Sequence, residues 1–346
     1  MHTLPAAAAL RQAWPDAELS WVVEKRAAEI LRDNPLLNHL IIVDTKALRR
    51  ASASGETLLA MRRQFRRLRV SAFDIALDFQ GLLKSSLIAR LSGAKRRYGF
   101  TRQALREPAS RFFLTETIPT PPYTNIIVKN LALVAGALGV AVPHNPADFA
   151  FPVALQEKHR QEAATMAATA GGDFAILNPG GGWPTKLWPA ERFGALADGL
   201  WKKYNLASLV TYGPGEQELA ARVVQSSGTG HTQAVSPSLK GFYALAQSAR
   251  LYVGGDTGPT HLAVAAGTPV AGIFGPTEWW RNGSPRPTDV GIERNDIGCR
   301  VDCHRRACNN WICLDIEAAQ VLDWAGKIVN YECPTSPDNK TTTIHN

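Results

Sequence analysis

The sequence predicts an α/β protein with two Rossmann-like lobes, each built on a parallel sheet. Short apolar strands alternate with helices along most of the chain, which is typical of parallel sheets covered by helices. A proline-rich interruption from Pro143 to Pro152 divides this alternation, and 346 residues suffice for two domains of ordinary size. We expect lobes over residues 1–150 and 151–333, followed by a disordered polar tail over 334–346.

The first lobe is predicted to lack its first strand. A Rossmann lobe normally begins with a strand that leads into its first helix, whereas this chain opens directly on helix-like sequence. The strands predicted after it are Leu19–Val23, Leu40–Val43 and Ile75–Phe79. The predicted helices are Thr3–Trp14, Arg26–Asp33, Thr57–Arg69, Leu82–Leu91 and Ile126–Leu138.

The second lobe repeats the alternation more clearly. Its predicted strands are Asp173–Asn178, Ala207–Tyr212, Arg250–Gly254 and Pro269–Phe274. Its predicted helices are Pro189–Tyr204, one from Glu216, Leu239–Ser248, Pro259–Ala266 and Glu317–Asn330. Glycines and polar residues concentrate where three of these strands end. Ligands of open parallel sheets bind outside the carboxyl ends of the strands, so we expect the three junctions to face one crevice.

The first junction runs from Asn178 to Pro189 and contains three consecutive glycines, Gly180–Gly182. Glycines allow a close approach of the backbone to an anion, while Thr185 offers a hydroxyl and Lys186 a positive charge. The helix that follows adds free N–H groups and its dipole. The Gly-Lys-Ser/Thr order of a P-loop is absent. A simple Gly-Pro turn with a surface lysine explains this segment equally well when it is taken alone.

The second junction, from Tyr212 to Glu216, places a carboxylate just beyond a strand end. Acidic residues at such positions accept hydrogen bonds from ribose hydroxyls in Rossmann folds. By itself the motif favours a plainer interpretation, in which Glu216 only complements the dipole of its helix.

The third junction, from Gly254 to His261, carries the strongest signal. Two glycines end a strand, Asp256 and Thr257 occupy the turn, and Pro259 suits the first turn of a helix. The N–H groups of Thr257 and Gly258 can then point at a phosphate, and His261 falls in the same first turn. A lone histidine in an alanine-rich helix is usually just packed, but this one belongs to a polar cluster.

Positive charge is concentrated in the first half of the chain. Residues 46–111 contain 16 Lys and Arg against 4 acidic residues, a net charge of +12, whereas the whole chain carries +8. Such a zone indicates an anionic partner (nucleic acid, phospholipid or a phosphorylated glycolipid) or else a solvated helix face rich in arginine. We do not expect nucleic acid, because aromatic residues are not interleaved with the arginines and no recognised motif is present.

Cysteine usage and hydropathy bear on the compartment. No apolar run reaches the ~18 residues of a membrane span, and the start lacks the basic region of a signal peptide. We therefore expect a cytoplasmic protein whose cysteines are thiols or metal ligands. The spacing of the clustered cysteines is not that of a zinc ribbon, so no metal site is predicted, although a structural metal stays open. The five are Cys299, Cys303, Cys308, Cys313 and Cys333.

The motifs resemble those of the heptosyltransferases of glycosyltransferase family nine. The third junction with the following Leu262–Pro269 looks like the signature of that family, and so does Phe274-Gly275-Pro276-Thr277. The segment from Asn178 to Trp188 resembles its Pro-Gly-…-Lys-x-Trp segment. In the first half, His2–Ala6 and Asp78–Ser85 also match. The resemblance covers residues 2 to about 330.

The resemblance implies a GT-B fold, with the acceptor on the first lobe and the nucleotide sugar on the second. It implies an inverting enzyme that transfers heptose from ADP-heptose to the lipopolysaccharide inner core without a metal. Lys186 would stabilise the departing diphosphate. The donor-binding residues would be Thr185, Lys186, Glu216, Asp256, Thr257, Gly258 and His261. The acceptor, a phosphorylated lipid bearing Kdo, would be met at the inner face of the inner membrane by Arg62, Arg63, Arg66 and Lys84.

One departure concerns the general base. In the family, a Gly-Asp pair lies just before the segment that matches His2–Pro5, and its Asp is the expected base. This sequence begins after that pair, so no residue of it receives the role. A Kdo acceptor is favoured over a heptose acceptor by the stretch Thr185–Pro189. The alternative is a noncatalytic relative that binds nucleotide sugars without turnover.

Overall fold

The structure, a computed structural model, describes residues 1–44, 68, 72–300 and 303–330. Three predicted acceptor residues, Arg62, Arg63 and Arg66, lie outside the described residues. So do the predicted helix Thr57–Arg69, apart from Leu68, and the predicted disordered tail over 334–346.

The first lobe contains two small parallel sheets. One pairs β1 with β2, and the other has the order β3-β4-β5. The strands are β1 (Ser20–Glu24), β2 (His39–Val43), β3 (Ile75–Leu77), β4 (Arg96–Phe100) and β5 (Glu116–Ile118). The helices are α1 (Leu4–Ala13), α2 (Leu83–Leu91) and α3 (Ile126–Leu138).

The two small sheets of this lobe are separate in the part of the chain that the structure describes. In the Rossmann strand order, the first strand lies between the second and the fourth, which is the position between β1 and β3. Among the described strands, β1 pairs with β2 and β3 pairs with β4, and neither pairs with the other. Both strands are only half-buried throughout, unlike the central strands of the second lobe.

The predicted helix Arg26–Asp33 is wrong. The segment forms two 3₁₀ turns instead, Lys25–Ala27 and Glu29–Leu31. Asp33 then takes a left-handed conformation, with φ of 58°. The stretch is too short to offset the free-energy cost of nucleating an α-helix. In addition, Asn34 precedes Pro35, and a residue before proline disfavours helical backbone angles.

The second lobe is a six-stranded parallel sheet of order β11-β10-β9-β6-β7-β8. Its strands are β6 (Phe174–Asn178), β7 (Ala207–Thr211), β8 (Thr232–Val235), β9 (Leu251–Gly255), β10 (Val270–Phe274) and β11 (Val290–Glu293). Its helices are α4 (Glu157–Ala168), α5 (Ala190–Tyr204), α6 (Gln217–Gln225), α7 (Leu239–Ala246), α8 (Gly258–Ala266), α9 (Trp279–Asn282) and α10 (Ala318–Val329). The strand order reverses between β6 and β9, so a ligand crevice is expected at their carboxyl ends.

Two apolar layers cover this sheet. Alternate residues of β6 face opposite ways, with Ile176 in one hydrophobic cluster and Leu177 in the other. The first cluster also includes Leu4 and Ile30, so the first lobe shares a core with the second. The packing on both faces of the sheet therefore holds the ends of its strands in fixed positions. Within the described ranges, no helix has both the length and the apolar character needed to cross a bilayer.

Candidate functional site

The three predicted junctions meet in one cavity of about 380 Å³. The ends of β6 and β7 form two sides of it, and the start of α8 forms a third. Its polar lining includes Asn178, Tyr212, Glu216 and Thr257. The crevice expected from the sequence is thus present in the structure.

An apolar wall of this cavity was not predicted from the sequence. Pro237, Leu239, Phe242 and Leu262 line it. Three of them belong to the loop and helix after β8, and β8 itself has too little apolar alternation to be recognised as a strand. An apolar wall opposite polar strand ends suits a flat ring that carries hydrogen-bonding groups on its other side.

Glu216 is held at the rim of the cavity by close backbone approach. Its Oε2 accepts a hydrogen bond from the N–H of Gly213 at 2.9 Å. A methyl group placed on Gly180 would lie 2.5 Å from Oε1 of Glu216, so only glycine leaves room for this carboxylate. The turn between Gly213 and Glu216 needs Gly215, whose φ of +86° disfavours other residues. The carboxylate is therefore preorganised to accept from a hydroxyl in the cavity.

A charged cluster adjoins the cavity at the start of α8. Lys186 Nζ lies 2.7 Å from Asp256 Oδ2 and 3.0 Å from the carbonyl oxygen of the same residue. His261 Nε2 lies 3.3 Å from the other carboxylate oxygen, Oδ1. The three side chains are mostly buried, with 12%, 7% and 17% of Lys186, Asp256 and His261 exposed. The structure thus brings together three of the predicted site residues.

This environment keeps Asp256 ionised. Burial alone would raise its pKa, but the hydrogen bond and charge of His261 and the charge of Lys186 outweigh burial and lower the pKa well below its usual range. Lys186 has three N–H donors and directs two of them at Asp256. One donor is therefore left for a further acceptor such as a phosphate oxygen.

The start of α8 supplies the geometry of an anion site. Thr257 is the N-cap residue and has an extended backbone, while Pro259 occupies the first turn. The first N–H groups of a helix have no partner within it, and the positive end of the dipole lies there. Behind the turn, the buried hydroxyl of Thr260 donates to the Gly255 carbonyl and contacts Tyr252 Oη at 3.0 Å. These contacts stabilise the turn between β9 and α8.

Thr185 lies beside this cluster with its hydroxyl turned away. Its side chain is buried, and Oγ1 donates to the carbonyl oxygen of Arg305 at 2.7 Å. The proton of this hydroxyl is therefore used in a contact with the backbone. The neighbouring Trp183 ring lies 4.3 Å from Lys186 Nζ, a cation–π contact. Direct contact of Thr185 with a diphosphate stays a prediction.

Two contacts with Asp256 and His261 were missed by sequence reasoning. Asn282 Nδ2 donates to Asp256 Oδ2 at 3.3 Å. The ring of His2, from the first lobe, lies 4.2 Å from the ring of His261 in an edge-to-face arrangement. Burial lowers the pKa of His2 well below its ordinary value, and the charge of His261 lowers it further. The segment His2–Ala6 matches a family motif, but the sequence assigns neither His2 nor Asn282 to the site, and both reach it only through the fold.

The predicted acceptor residue Lys84 contacts another residue of the first lobe. It is on α2, and its Nζ forms an ion pair of 2.7 Å with Oε1 of Glu24 at the end of β1. The pair joins α2 to the carboxyl end of β1. With the three arginines outside the described residues, the acceptor site stays a prediction.

The clustered cysteines are free thiols. They are Cys299, Cys303, Cys308 and Cys313. Burial raises the pKa of the Cys313 thiol, and the neighbouring cysteines raise it further. In the part of the chain that the structure describes, no group of three His, Cys, Asp or Glu side chains is arranged to hold a metal ion.

The described geometry has counterparts among known proteins. Residues 61–311 match the family described as glycosyltransferase family 9 (heptosyltransferase). Lipopolysaccharide heptosyltransferase 1 of Pseudomonas aeruginosa is 29% identical over 314 residues, which are 89% of this chain and 83% of that protein. Lipopolysaccharide heptosyltransferase 1 of Escherichia coli K12 is 29% identical over 306 residues, 87% of this chain and 89% of the relative.

A solved structure supports the fold assignment. The E. coli heptosyltransferase WaaC with ADP superposes with a TM-score of 0.71 at 25% identity, covering 84% of this chain and 88% of that one. The two parallel-sheet lobes are thus arranged as in that enzyme, and the predicted GT-B fold is confirmed.

Proposed function

Because this chain belongs to glycosyltransferase family 9, the heptosyltransferase family, we propose that it transfers heptose from ADP-heptose to the lipopolysaccharide inner core. The proposal goes further in three respects. The transfer inverts the anomeric carbon, it needs no metal ion, and Kdo rather than heptose is the sugar that accepts.

The charged cluster at the start of α8 carries this proposal. The leaving group is a nucleoside diphosphate, whose negative charge grows as the glycosidic bond breaks. The Lys186 ammonium and the free N–H groups of Thr257 and Gly258 can stabilise that charge. Since Asp256 and His261 fix the position of Lys186, this stabilisation is preorganised. Thr185, next to Lys186 in the same loop, would also contact the diphosphate.

The neighbouring cavity fits the nucleoside. Its apolar wall would take the adenine ring, and the Glu216 carboxylate would accept from the ribose hydroxyls. The related E. coli enzyme was solved with ADP. Asp256 Oδ1, which His261 contacts at 3.3 Å, is held less tightly than Oδ2, which Lys186 contacts at 2.7 Å. The Asp256 carboxylate would accept hydrogen bonds from hydroxyls of the heptose.

The acceptor is proposed to be a Kdo-bearing lipid met at the inner face of the inner membrane. The basic zone over residues 46–111 supports an anionic partner, and Arg62, Arg63, Arg66 and Lys84 would neutralise its phosphates and carboxylates. The relatives from P. aeruginosa and E. coli are both named lipopolysaccharide heptosyltransferase 1. No described residue is assigned as the general base.

Release of ADP from ADP-heptose in the presence of a Kdo-bearing lipid tests the proposal directly. We expect release with that acceptor, little with a heptose-bearing one, and the same rate in EDTA. The anomeric configuration of the product, read by NMR, tests inversion. ADP-heptose binding without turnover would instead favour the noncatalytic alternative, and failure to bind any ADP nucleotide would exclude both.

A further inference from the structure

Helix α3 of the first lobe is connected to both carboxylate oxygens of Asp256. Asn125 caps the start of this helix and contacts the second lobe. Asn130 lies within the helix and contacts His2. Each contact starts a short chain of neighbours that ends on one oxygen of Asp256. These chains cross between the two lobes.

The first chain ends on Oδ2. Asn125 Nδ2 donates to the carbonyl oxygens of Trp280 and Gly283, at 3.3 and 3.0 Å. Asn282, between these two acceptors, donates from Nδ2 to Asp256 Oδ2 at 3.3 Å. The ring of Tyr123 also meets the ring of Trp280, with centroids 5.3 Å apart. Asn125 and Tyr123 of the first lobe thus contact the residues on either side of Asn282, which donates to Asp256.

The second chain ends on Oδ1. Asn130, which is 1% exposed, donates from Nδ2 to the carbonyl oxygen of His2 at 3.0 Å. This contact places the His2 ring against the ring of His261, and His261 Nε2 lies 3.3 Å from Asp256 Oδ1. The second chain is separate from the first except at α3 and at Asp256.

We propose that Asn282 and His2 are positioning residues that fix the Asp256 carboxylate only while helix α3 is seated against the second lobe. The donor site is then complete only when the acceptor lobe is in place. The inference rests on the proposed function in taking Asp256 and Lys186 as donor-binding residues.

The expected size of the effect follows from hydrogen bonding to a charged group. Such bonds contribute about 1.5–3 kcal/mol, equivalent to roughly 10- to 100-fold in a rate. A displacement of the reacting groups by ~1 Å can cost about as much. The Asp256 carboxylate keeps Lys186 in place, so its displacement should lower kcat more than it weakens binding of ADP.

Two variants and a control test the first chain. Asn282→Ala removes the donor to Asp256. Asn125→Ser keeps a hydroxyl able to cap α3 but cannot reach the two carbonyl oxygens. Lys240→Met is the control, because Lys240 Nζ donates to the Arg32 carbonyl at 2.8 Å, another contact between lobes that has no connection to Asp256.

We expect kcat to fall about tenfold in each test variant, while the Kd of ADP by calorimetry changes less than about threefold. The double variant should be little worse than either single one, because both break the same chain. Lys240→Met should keep kcat within about twofold even if it lowers the melting temperature. Additive losses, or an equal loss of kcat in Lys240→Met, would overturn the inference.

A readout without the sugar separates this inference from the proposed function. The side-chain NMR signals of His261 report its contact with Asp256 and should shift in Asn125→Ser but not in Lys240→Met. If the wild-type protein transfers no heptose, the proposed function fails, and these signals still decide the inference. Unchanged His261 signals in Asn125→Ser would refute it.

Discussion

Lys186 Nζ lies 2.7 Å from Asp256 Oδ2, so a cation and an anion from two different strand–helix junctions meet at the start of α8. Both side chains are nearly buried, which makes either charge costly without the other. The pairing thus fixes a positive charge beside the first N–H groups of α8 and neutralises that charge within the fold. A diphosphate would add a second negative partner without moving the lysine far.

Replacing Lys186 by methionine should reduce heptosyl transfer by a factor on the order of 10²–10³ in kcat, because the developing charge of the leaving diphosphate loses its fixed cation. The substitution keeps the length and apolar stem of the side chain. Steady-state assays of ADP release measure the loss, and Lys202→Met, on the exposed face of α5, is the control. Wild-type rates in Lys186→Met would remove this residue from the mechanism.

The sequence was sufficient to predict the parallel sheet of the second lobe and the cavity at the carboxyl ends of its strands. Wholly apolar strands such as β6 and β9 end in glycines and polar residues, and this local pattern predicts both the strand and the ligand side of the sheet. Lys186, Glu216 and Asp256 therefore could be found one by one. The pairing of Lys186 with Asp256 and the separate position of Glu216 at the rim of the cavity could not be predicted, since they depend on distances between junctions.

Other features required the fold because their signals are not local. Asn282 and His2 reach Asp256 and His261 from segments 26 and 259 residues away along the chain from those partners. The apolar wall follows β8, whose burial alternates weakly. The segment from Arg26 to Asp33 has helical composition, but Pro35 and its short length decide against a helix.

Gly194→Ala should destabilise the second lobe. A methyl group there would lie 2.6 Å from the backbone carbon of Ser226, which cannot move without shifting the end of α6. Overpacking of this kind costs about 1–3 kcal/mol. In Gly199→Ala, in the same helix, the atoms nearest the added methyl group are at the end of the Leu322 side chain, which can change rotamer, so this variant should cost less. Chemical denaturation compares the free energies of unfolding, and equal values for both variants would contradict the packing argument.

The stability of the folded chain should fall as the pH is lowered through about 6.5, partly because of His2. Burial and the charge of His261 lower the pKa of His2 in the folded state below its ordinary 6.5. The unfolded chain therefore binds a proton that the folded chain resists, and the free energy of unfolding decreases toward acid pH. Melting temperatures between pH 7.5 and 5.5 measure this slope.

His2→Gln should make that slope smaller, because the variant has no imidazole to protonate on unfolding. Part of the slope should remain, since burial also lowers the pKa of His159. A wild-type slope in His2→Gln would mean that His2 does not remain neutral in the folded protein.

Gly180→Ala should weaken ADP binding, whereas Gly172→Ala, outside the cavity, should not. A methyl group on Gly180 would lie 2.5 Å from Glu216 Oε1 and push the carboxylate from its place, while one on Gly172 would meet nothing within 4 Å. Loss of a hydrogen bond between a carboxylate and a hydroxyl costs about 1.5–3 kcal/mol, so the Kd should rise roughly 10- to 100-fold. Calorimetry with ADP measures both variants. In a Glu216→Ala background, Gly180→Ala should have almost no further effect, because the carboxylate that it displaces is already gone. Equal weakening by both glycine substitutions would contradict this role of Glu216.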